Sequence, residues 1–233
     1  MKRLARFVLR GGRRRPGPAG ALQSRPKLLL FDFDGTIADT FENGLEILNL
    51  LAEECGFRPL DRSELPQARD MRTRELMKFL HIPTRKMGLI SRRGKEELSK
   101  RIDTIQPLPG MCDIVRSLKN DGYLLGILTS NSCENVRAFL RNHDLDVFEF
   151  IRSSSKLLGK GREVRSILKE RGINASEILL IGDETRDVEA AREAGAHIAA
   201  VTWGYNSRRS LEILAPDYLF DAPDDLMTLL KGL

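Results

Sequence analysis

The stretch LLLFDFDGTIADT, residues 28–40, runs four apolar side chains straight into a pair of carboxylates, Asp32 and Asp34. A near-continuous apolar run reads as a strand buried on both faces, as in a parallel sheet. Two like charges do not belong in such a core, so the strand has to stop where they begin. Gly35 permits a tight reversal there, and Thr36 braces the loop. The same apolar signature recurs in YLLGILT (123–129), EILLIGD (177–183) and HIAAVT (197–202), with shorter candidates in FEFI (148–151) and DYLF (217–220). Helical patterns fill the intervals at 110–121, 132–142, 161–171, 186–195, 207–214 and 223–231. Strands alternating with helices predict an α/β fold, a Rossmann-like doubly wound parallel sheet.

Residues 41–105 interrupt that alternation. FENGLEILNLLAEECGF is amphipathic, and RTRELMKFLHI and KEELSKRIDTI continue in helical style, with no strong strand among them. Such a stretch is too long for a structureless loop. The expected organisation is an α/β core of residues 27–40 and 106–233, a helical insertion at 41–105, and a basic disordered tail at 1–26. Asp39 and Thr40 are read as a hinge and a helix cap, and PLPG at 107–110 brings the chain back to the sheet.

With 233 residues, 41% hydrophobic and 30% charged, the chain has the material for one large soluble domain, or a core with an insert. No apolar run approaches the ~20 residues that span a bilayer. The net charge of +5 is local. Residues 1–27 hold nine Lys/Arg and no acid, which leaves 29 basic against 33 acidic residues in the rest. The body is therefore mildly acidic and does not read as a nucleic-acid binder. The tail, rich in Gly, Pro and Arg, is too polar for a secretory signal. It reads as a disordered extension, with an organelle transit peptide as the alternative. Cys55, Cys112 and Cys133 form no CxxC pair and no even framework, which points to a reducing, cytoplasmic setting.

In open α/β sheets, ligands sit beyond the carboxyl ends of the strands, and the polar signals of this chain fall there. Asp32 and Asp34 end the first strand, TSNS (129–132) ends the second strong one, and GDETRD (182–187) ends the next, with Asp183 and Asp187. SSSKLLGKG (153–161) adds Lys156 and Lys160 ahead of a helix. Clustered carboxylates raise one another's pKa, and a hard cation such as Mg²⁺, which takes oxygen ligands and substrate phosphates, resolves the conflict. Ser130, Asn131 and a lysine suit a phosphate, and helix N-termini add N–H donors. Asp32, between the two, is positioned to attack phosphorus, and Asp34 to protonate a leaving alcohol and then activate water.

DFDGT, TSNS, Lys160 and GDETRD resemble, in order and spacing, the four motifs of the haloacid dehalogenase superfamily, over residues 27–233. The helical insertion resembles the C1 cap of the phosphoglycolate-phosphatase-like branch. The resemblance implies a Mg²⁺-dependent phosphatase of a small phosphorylated metabolite, working through an aspartyl-phosphate. It makes Asp32 the nucleophile and Asp34 the general acid/base, whose backbone carbonyl also ligates Mg²⁺. Ser130 becomes the motif-two hydroxyl, with Thr129 the alternative by one residue of register. Ser130, Asn131 and Lys160 would hold phosphate, and Lys156 is the second choice of lysine. Asp183 becomes a direct metal ligand, and Asp187 a partner of metal-bound water or of the lysine. A phosphosugar mutase of the same fold is the alternative. A non-catalytic scaffold, its basic tail binding nucleic acid or an anionic membrane, is the reading from another class.

The remaining polar residues carry less. Arg69, Arg72 and Arg74 are candidates for contact with an anionic substrate, though a solvated helix face is the simpler reading. His81 and His143 lack partner spacing and read as structural or exposed. Trp203, in VTWGYNS, reads as packing near the site.

Overall fold

The computed structural model describes residues 21–154 and 159–233. Among them β1 (Leu28–Phe31), β2 (Leu124–Thr129), β3 (Phe150–Ser153), β4 (Ile178–Gly182), β5 (His197–Val201) and β6 (Tyr218–Phe220) form one sheet, in the order β3-β2-β1-β4-β5-β6. Every pairing is parallel. The doubly wound α/β expectation therefore holds, and the apolar runs mark its strands. The one displaced strand is β3, which starts at Phe150, two residues later than the start of FEFI. The Phe150 ring lies where a Cβ at Gly126 would stand, and these two residues open the β2–β3 register.

Burial on both faces explains the unbroken apolar runs. Along β1, Leu29 and Phe31 join one core, while Leu28 and Leu30 join the other. The first core is closed by α5 (Met111–Asn120), α6 (Cys133–Asn142) and α10 (Pro223–Lys231). The second is closed by α7 (Lys160–Arg171), α8 (Thr185–Ala194) and α9 (Arg208–Ile213). The chain winds outward from β1 to β3, then crosses to β4 on the other side of β1. That reversal opens a crevice at the carboxyl end of β1.

Residues 41–104 contain no strand. They form α1 (Phe41–Cys55), α2 (Leu65–Asp70), α3 (Thr73–Phe79) and α4 (Met87–Ser99), with short 3-10 turns between. α1 buries Leu45, Ile47, Leu51, Ala52 and Cys55 and stops at Gly56, which takes the left-handed C-cap conformation. The two crossings into this insertion run side by side. Ala38 pairs with Pro107, and the Asp39 N–H donates to the Gln106 carbonyl at 2.9 Å. Thr40 does not cap α1 with its side chain as expected. It accepts the Tyr205 hydroxyl instead, at its carbonyl (3.0 Å) and its Oγ1 (3.2 Å).

Residues 21–26, expected as the end of a disordered tail, include packed side chains. Leu22 is buried and its N–H donates to the Tyr218 hydroxyl at 2.6 Å, while the Arg25 guanidinium lies 4.0 Å from the Tyr123 ring centre. The tail readings that rest on residues 1–20 lie outside the described residues, as does Lys156. No helix among the described residues is long and apolar enough to cross a membrane. His143 is structural, as its ring nitrogen meets the Ile105 carbonyl at 2.9 Å and its ring packs on Phe139. The three cysteines are free.

Candidate active site

At the carboxyl end of β1 the Asp32 N–H still pairs with the Ile181 carbonyl, at 2.8 Å, which carries the strand alignment one residue past its end. The chain then turns on Phe33, whose carbonyl accepts from the N–H groups of Thr36, Ile37 and Ala38. Gly35 takes a φ of 75° in this turn, and a Cβ there would lie 2.5 Å from Asp183 Oδ2. The turn therefore needs glycine for both backbone and space. Gly204 and Gly182 are pressed in the same way against Asp183 and Asp187.

Asp32, Asp183 and Asp187 are all buried, and one oxygen from each lies within 4.8 Å of the other two. Each acid is held by its own partners. Asp32 Oδ1 accepts the Phe33 N–H at 2.7 Å. Asp183 accepts Thr36 Oγ1 at 2.6 Å and the Tyr205 N–H at 2.7 Å. Asp187 accepts the Glu184 N–H at 3.0 Å and the Lys160 ammonium at 2.7 Å. Lys160 Nζ also stands 2.5 Å from Asp32 Oδ2, and this ion pair is what meets that buried oxygen.

The acids press on one another electrically. Burial, and then the charges of Glu184, Asp32 and Asp187, hold the Asp183 carboxyl well above the carboxylate range. Burial pushes Asp187 up to about 6, against the pull of Lys160. Burial also works against the Lys160 charge, but Asp187 and Asp32 outweigh it and hold the ammonium above the ordinary lysine value. Three buried carboxylates, each offering an oxygen within 4.8 Å of the other two, fit a hard divalent cation of the Mg²⁺ kind.

Asp34 is not one of the three. It is half-buried, and its Oδ1 accepts Asn131 Nδ2 at 3.2 Å. Burial first, and then the Asp32 charge, push its pKa up to about 7. Asn131 is itself fixed, with its N–H on Thr129 Oγ1, its Oδ1 on Ser132 and Asn135, and its carbonyl on Ser153 Oγ. Thr129 is fully buried and its hydroxyl is spent on Asn131. Ser130 is only partly buried, and its Oγ accepts Arg186 Nη2 at 3.3 Å. Between the two hydroxyls the geometry therefore favours Ser130.

Sequence reasoning missed Arg186, Tyr205 and Asn206. The Arg186 guanidinium reaches Ser130 and Glu184 from the first turn of α8. Its signal was a cation where helix N-termini favour anions. Tyr205 and Asn206 sit in the loop after β5 and gave no signal beyond the quoted WGYNS. Trp203 does pack beside the site, with Nε1 donating to the Thr36 carbonyl at 3.3 Å. Arg69 is part-buried, donates to the carbonyls of Tyr205 (3.1 Å) and Gly204 (2.7 Å), and lines the cavity between insertion and core. Arg72 faces Glu189 at 3.4 Å, and Arg74 is exposed. A cavity of about 260 Å³ separates insertion from core, lined by Phe41, Leu45, Leu48 and Leu65 on one side and by Glu184 and Tyr205 on the other.

A family profile described as haloacid dehalogenase-like hydrolase matches residues 29–201, which contain Asp32, Asp34, Ser130, Asn131, Lys160, Asp183 and Asp187. The chain belongs to the haloacid dehalogenase-like hydrolase family. Among its relatives, a phosphoglycolate phosphatase of Synechococcus elongatus is 34% identical over 200 residues, covering 85% of this chain and 94% of the relative. A pyrophosphatase PpaX of Bacillus cereus is 26% identical over 227 residues, covering 90% and 98%. In fold, the chain is similar to a predicted phosphatase from Clostridium acetobutylicum, with a TM-score of 0.77, 21% identity and coverage of 90% and 100%. It is also similar to CbbY from Rhodobacter sphaeroides, with a TM-score of 0.69, 22% identity and coverage of 88% and 99%.

Proposed function

We propose that this chain hydrolyses a small phosphomonoester, phosphoglycolate-like, through an aspartyl-phosphate on Asp32, with Mg²⁺ held at Asp32, Asp183, Asp187 and the Asp34 backbone carbonyl. The coarser statement, a phosphoric monoester hydrolase of the haloacid dehalogenase-like family, rests on the family match and on relatives that are phosphatases. The observation that carries the finer reading is the contact of Lys160 with both Asp32 and Asp187.

The reading assigns each group a task. Asp32 Oδ attacks phosphorus, and the leaving oxygen takes a proton from Asp34. The raised pKa of Asp34 suits a carboxyl that must carry a proton near neutrality. Once the alcohol has left, Asp34 takes a proton from water, which attacks the acyl phosphate and frees Asp32. Ser130, Asn131 and Lys160 hold the phosphoryl oxygens and offset their charge. Mg²⁺, when bound, supplies charge compensation for the three acids and the phosphoryl group. Residues 41–105 serve as the cap that excludes water, and their small cavity suits a small leaving group.

The test is a screen of phosphoglycolate, sugar phosphates, nucleotides and pyrophosphate, with Mg²⁺ and with a chelator. Release of phosphate from a small ester that requires the metal and is abolished in Asp32→Asn is expected. Turnover that survives Asp32→Asn sinks the nucleophile assignment.

A further inference from the structure

Arg186 is a buried cation with an unfinished set of bonds. Its side chain is 11% exposed, Nη2 donates to Ser130 Oγ and to Glu184 Oε1, and Nε is buried with no hydrogen-bond partner. Leaving a buried donor of a charged group unmade costs free energy. Its place on α8 adds to that cost, because a cation in the first turn opposes the helix dipole. Pairing with Glu184, two residues back, does not account for the arrangement. That contact uses one edge of the guanidinium and leaves the fork open, whereas a planar fork is built to take two oxygens of a carboxylate or phosphate.

Its neighbours place the group within the catalytic crevice. Ser130, which it touches, borders the phosphoryl position. Its Nη2 reaches both Ser130 and Glu184, so the guanidinium lies between that hydroxyl and the cavity that Glu184 lines. Lys160 stands at Asp32 and Asp187. Glu184, the present partner of Arg186, also lines the cavity between insertion and core. A second anion entering with the leaving group would meet the guanidinium there in place of Glu184.

We infer that Arg186 is a specificity-determining residue that reads a second negative charge on the leaving group, a carboxylate or phosphate close to the ester oxygen. This rests on the phosphatase reading for its catalytic meaning, but not for its binding test. The ligand class is a small phosphate ester with a second anionic group, and a neutral alkyl phosphate of similar size is the disfavoured class.

The test uses the full chain with Mg²⁺ and two non-hydrolysable probes, phosphonoacetate and methylphosphonate, measured by calorimetry. The wild type is expected to bind phosphonoacetate at least about 10-fold more tightly, since charge-assisted pairs of this kind are worth about 1.5–3 kcal/mol. Arg186→Gln should erase that ratio, and Arg186→Lys should keep part of it, because charge survives while the fork is lost. In turnover, the ratio of kcat/KM for phosphoglycolate over ethyl phosphate should fall by the same factor in Arg186→Gln. Equal binding of both probes by the wild type, or an unchanged ratio in both variants, overturns the inference. An equal loss of both substrates in kcat/KM also overturns it and gives Arg186 to the phosphoryl group itself. Should Arg186→Gln fail to melt cooperatively, the Arg186→Lys ratio decides. A wild type that discriminates between the probes but hydrolyses no phosphate ester leaves this inference standing and removes the phosphatase reading.

Discussion

Asn206 Nδ2 donates to the carbonyl of Arg69 at 2.8 Å, which ties the end of α2 in the helical insertion to the loop after β5 in the α/β core. The same amide donates to the Met71 carbonyl at 3.1 Å, while its Oδ1 accepts the Thr185 N–H at 2.8 Å. Around it, the Ser207 N–H and Ser210 Oγ also converge on the Arg69 carbonyl. One buried side chain thus links insertion, loop and the start of α8.

Removing it should loosen all three. Asn206→Ala leaves the Thr185 N–H and the Met71 carbonyl short of a partner, while the Arg69 carbonyl keeps Ser207 and Ser210, and a loss of about 2 kcal/mol in urea unfolding is expected. Proteolysis in residues 56–72 should quicken in step. A variant as stable and as protease-resistant as the wild type would show that the clamp carries no weight.

The buried acid trio predicts a metal effect on stability. A cation at 100 times its dissociation constant adds about 2.7 kcal/mol, or roughly 5–10 °C in Tm for a chain of this size. Melting with millimolar Mg²⁺ against chelator measures it directly. Asp183→Asn should cut the increment to near zero while the chelated variant melts no lower than the chelated wild type, because it loses a repulsive charge.

Asp32→Asn should lower turnover by roughly 10⁴-fold or more, the scale seen when a nucleophile is removed. The chelated protein should be as stable as the wild type or more so, since one of the crowded charges is gone. Loss of activity together with a collapsed melt would instead mean that Asp32 is needed for folding.

The raised acids set a pH dependence for the metal-free protein. Burial and Asp32 hold Asp34 at about 7, above its ordinary 3.8, so between those values the folded state binds more protons than the unfolded one. Its contribution is therefore full below about 4 and is lost as pH rises through 7. Asp187, held at about 6 by burial, behaves in the same sense over a narrower window. Asn mimics the neutral form, so Asp34→Asn should gain on the wild type as pH rises from about 4, with a larger advantage at pH 8 than at pH 5 in urea midpoints taken with chelator. A stability difference that does not change with pH would contradict the raised value.

Gly35→Ala tests the turn that delivers Asp34. The φ of 75° and the 2.5 Å approach of a Cβ to Asp183 Oδ2 both penalise a side chain. A loss of about 2–4 kcal/mol is expected, from left-handed strain and overpacking together, with weakened Mg²⁺ stabilisation because Asp183 must shift. Gly56→Ala, also at positive φ but with open space around it, should cost only the strain.

Much of this was legible in the sequence because the rules involved are local. A strand buried on both faces needs an unbroken apolar run, so LLLF, LLGILT, ILLIG and HIAAV announced themselves. The short strand β3 was misplaced by two residues because its position depends on the Phe150 ring covering Gly126, a contact between strands. Among site residues, Asp32, Asp183 and Asp187 were visible as punctuation after apolar runs, and Lys160 as a lysine ahead of a helix, with Lys156 the second choice. The hydrogen bonds of Arg69 were not legible because its partners are backbone carbonyls 135 and 136 residues away.

By itself, the sequence determined the alternation of apolar strands and amphipathic helices, the place of the helical insertion, and the polar residues that close each strand. Those follow from periodicity and burial, which are properties of short stretches. Only the tertiary structure decided that Thr129 spends its hydroxyl on Asn131 while Ser130 faces Arg186, that the Thr40 hydroxyl serves Tyr205 rather than α1, and that Asn206 binds insertion to core. Each of those depends on which hydrogen-bond partner lies within about 3 Å once distant segments have packed. Such distances are set by the sheet order and by the glycines at 35, 182 and 204, against which the acids rest.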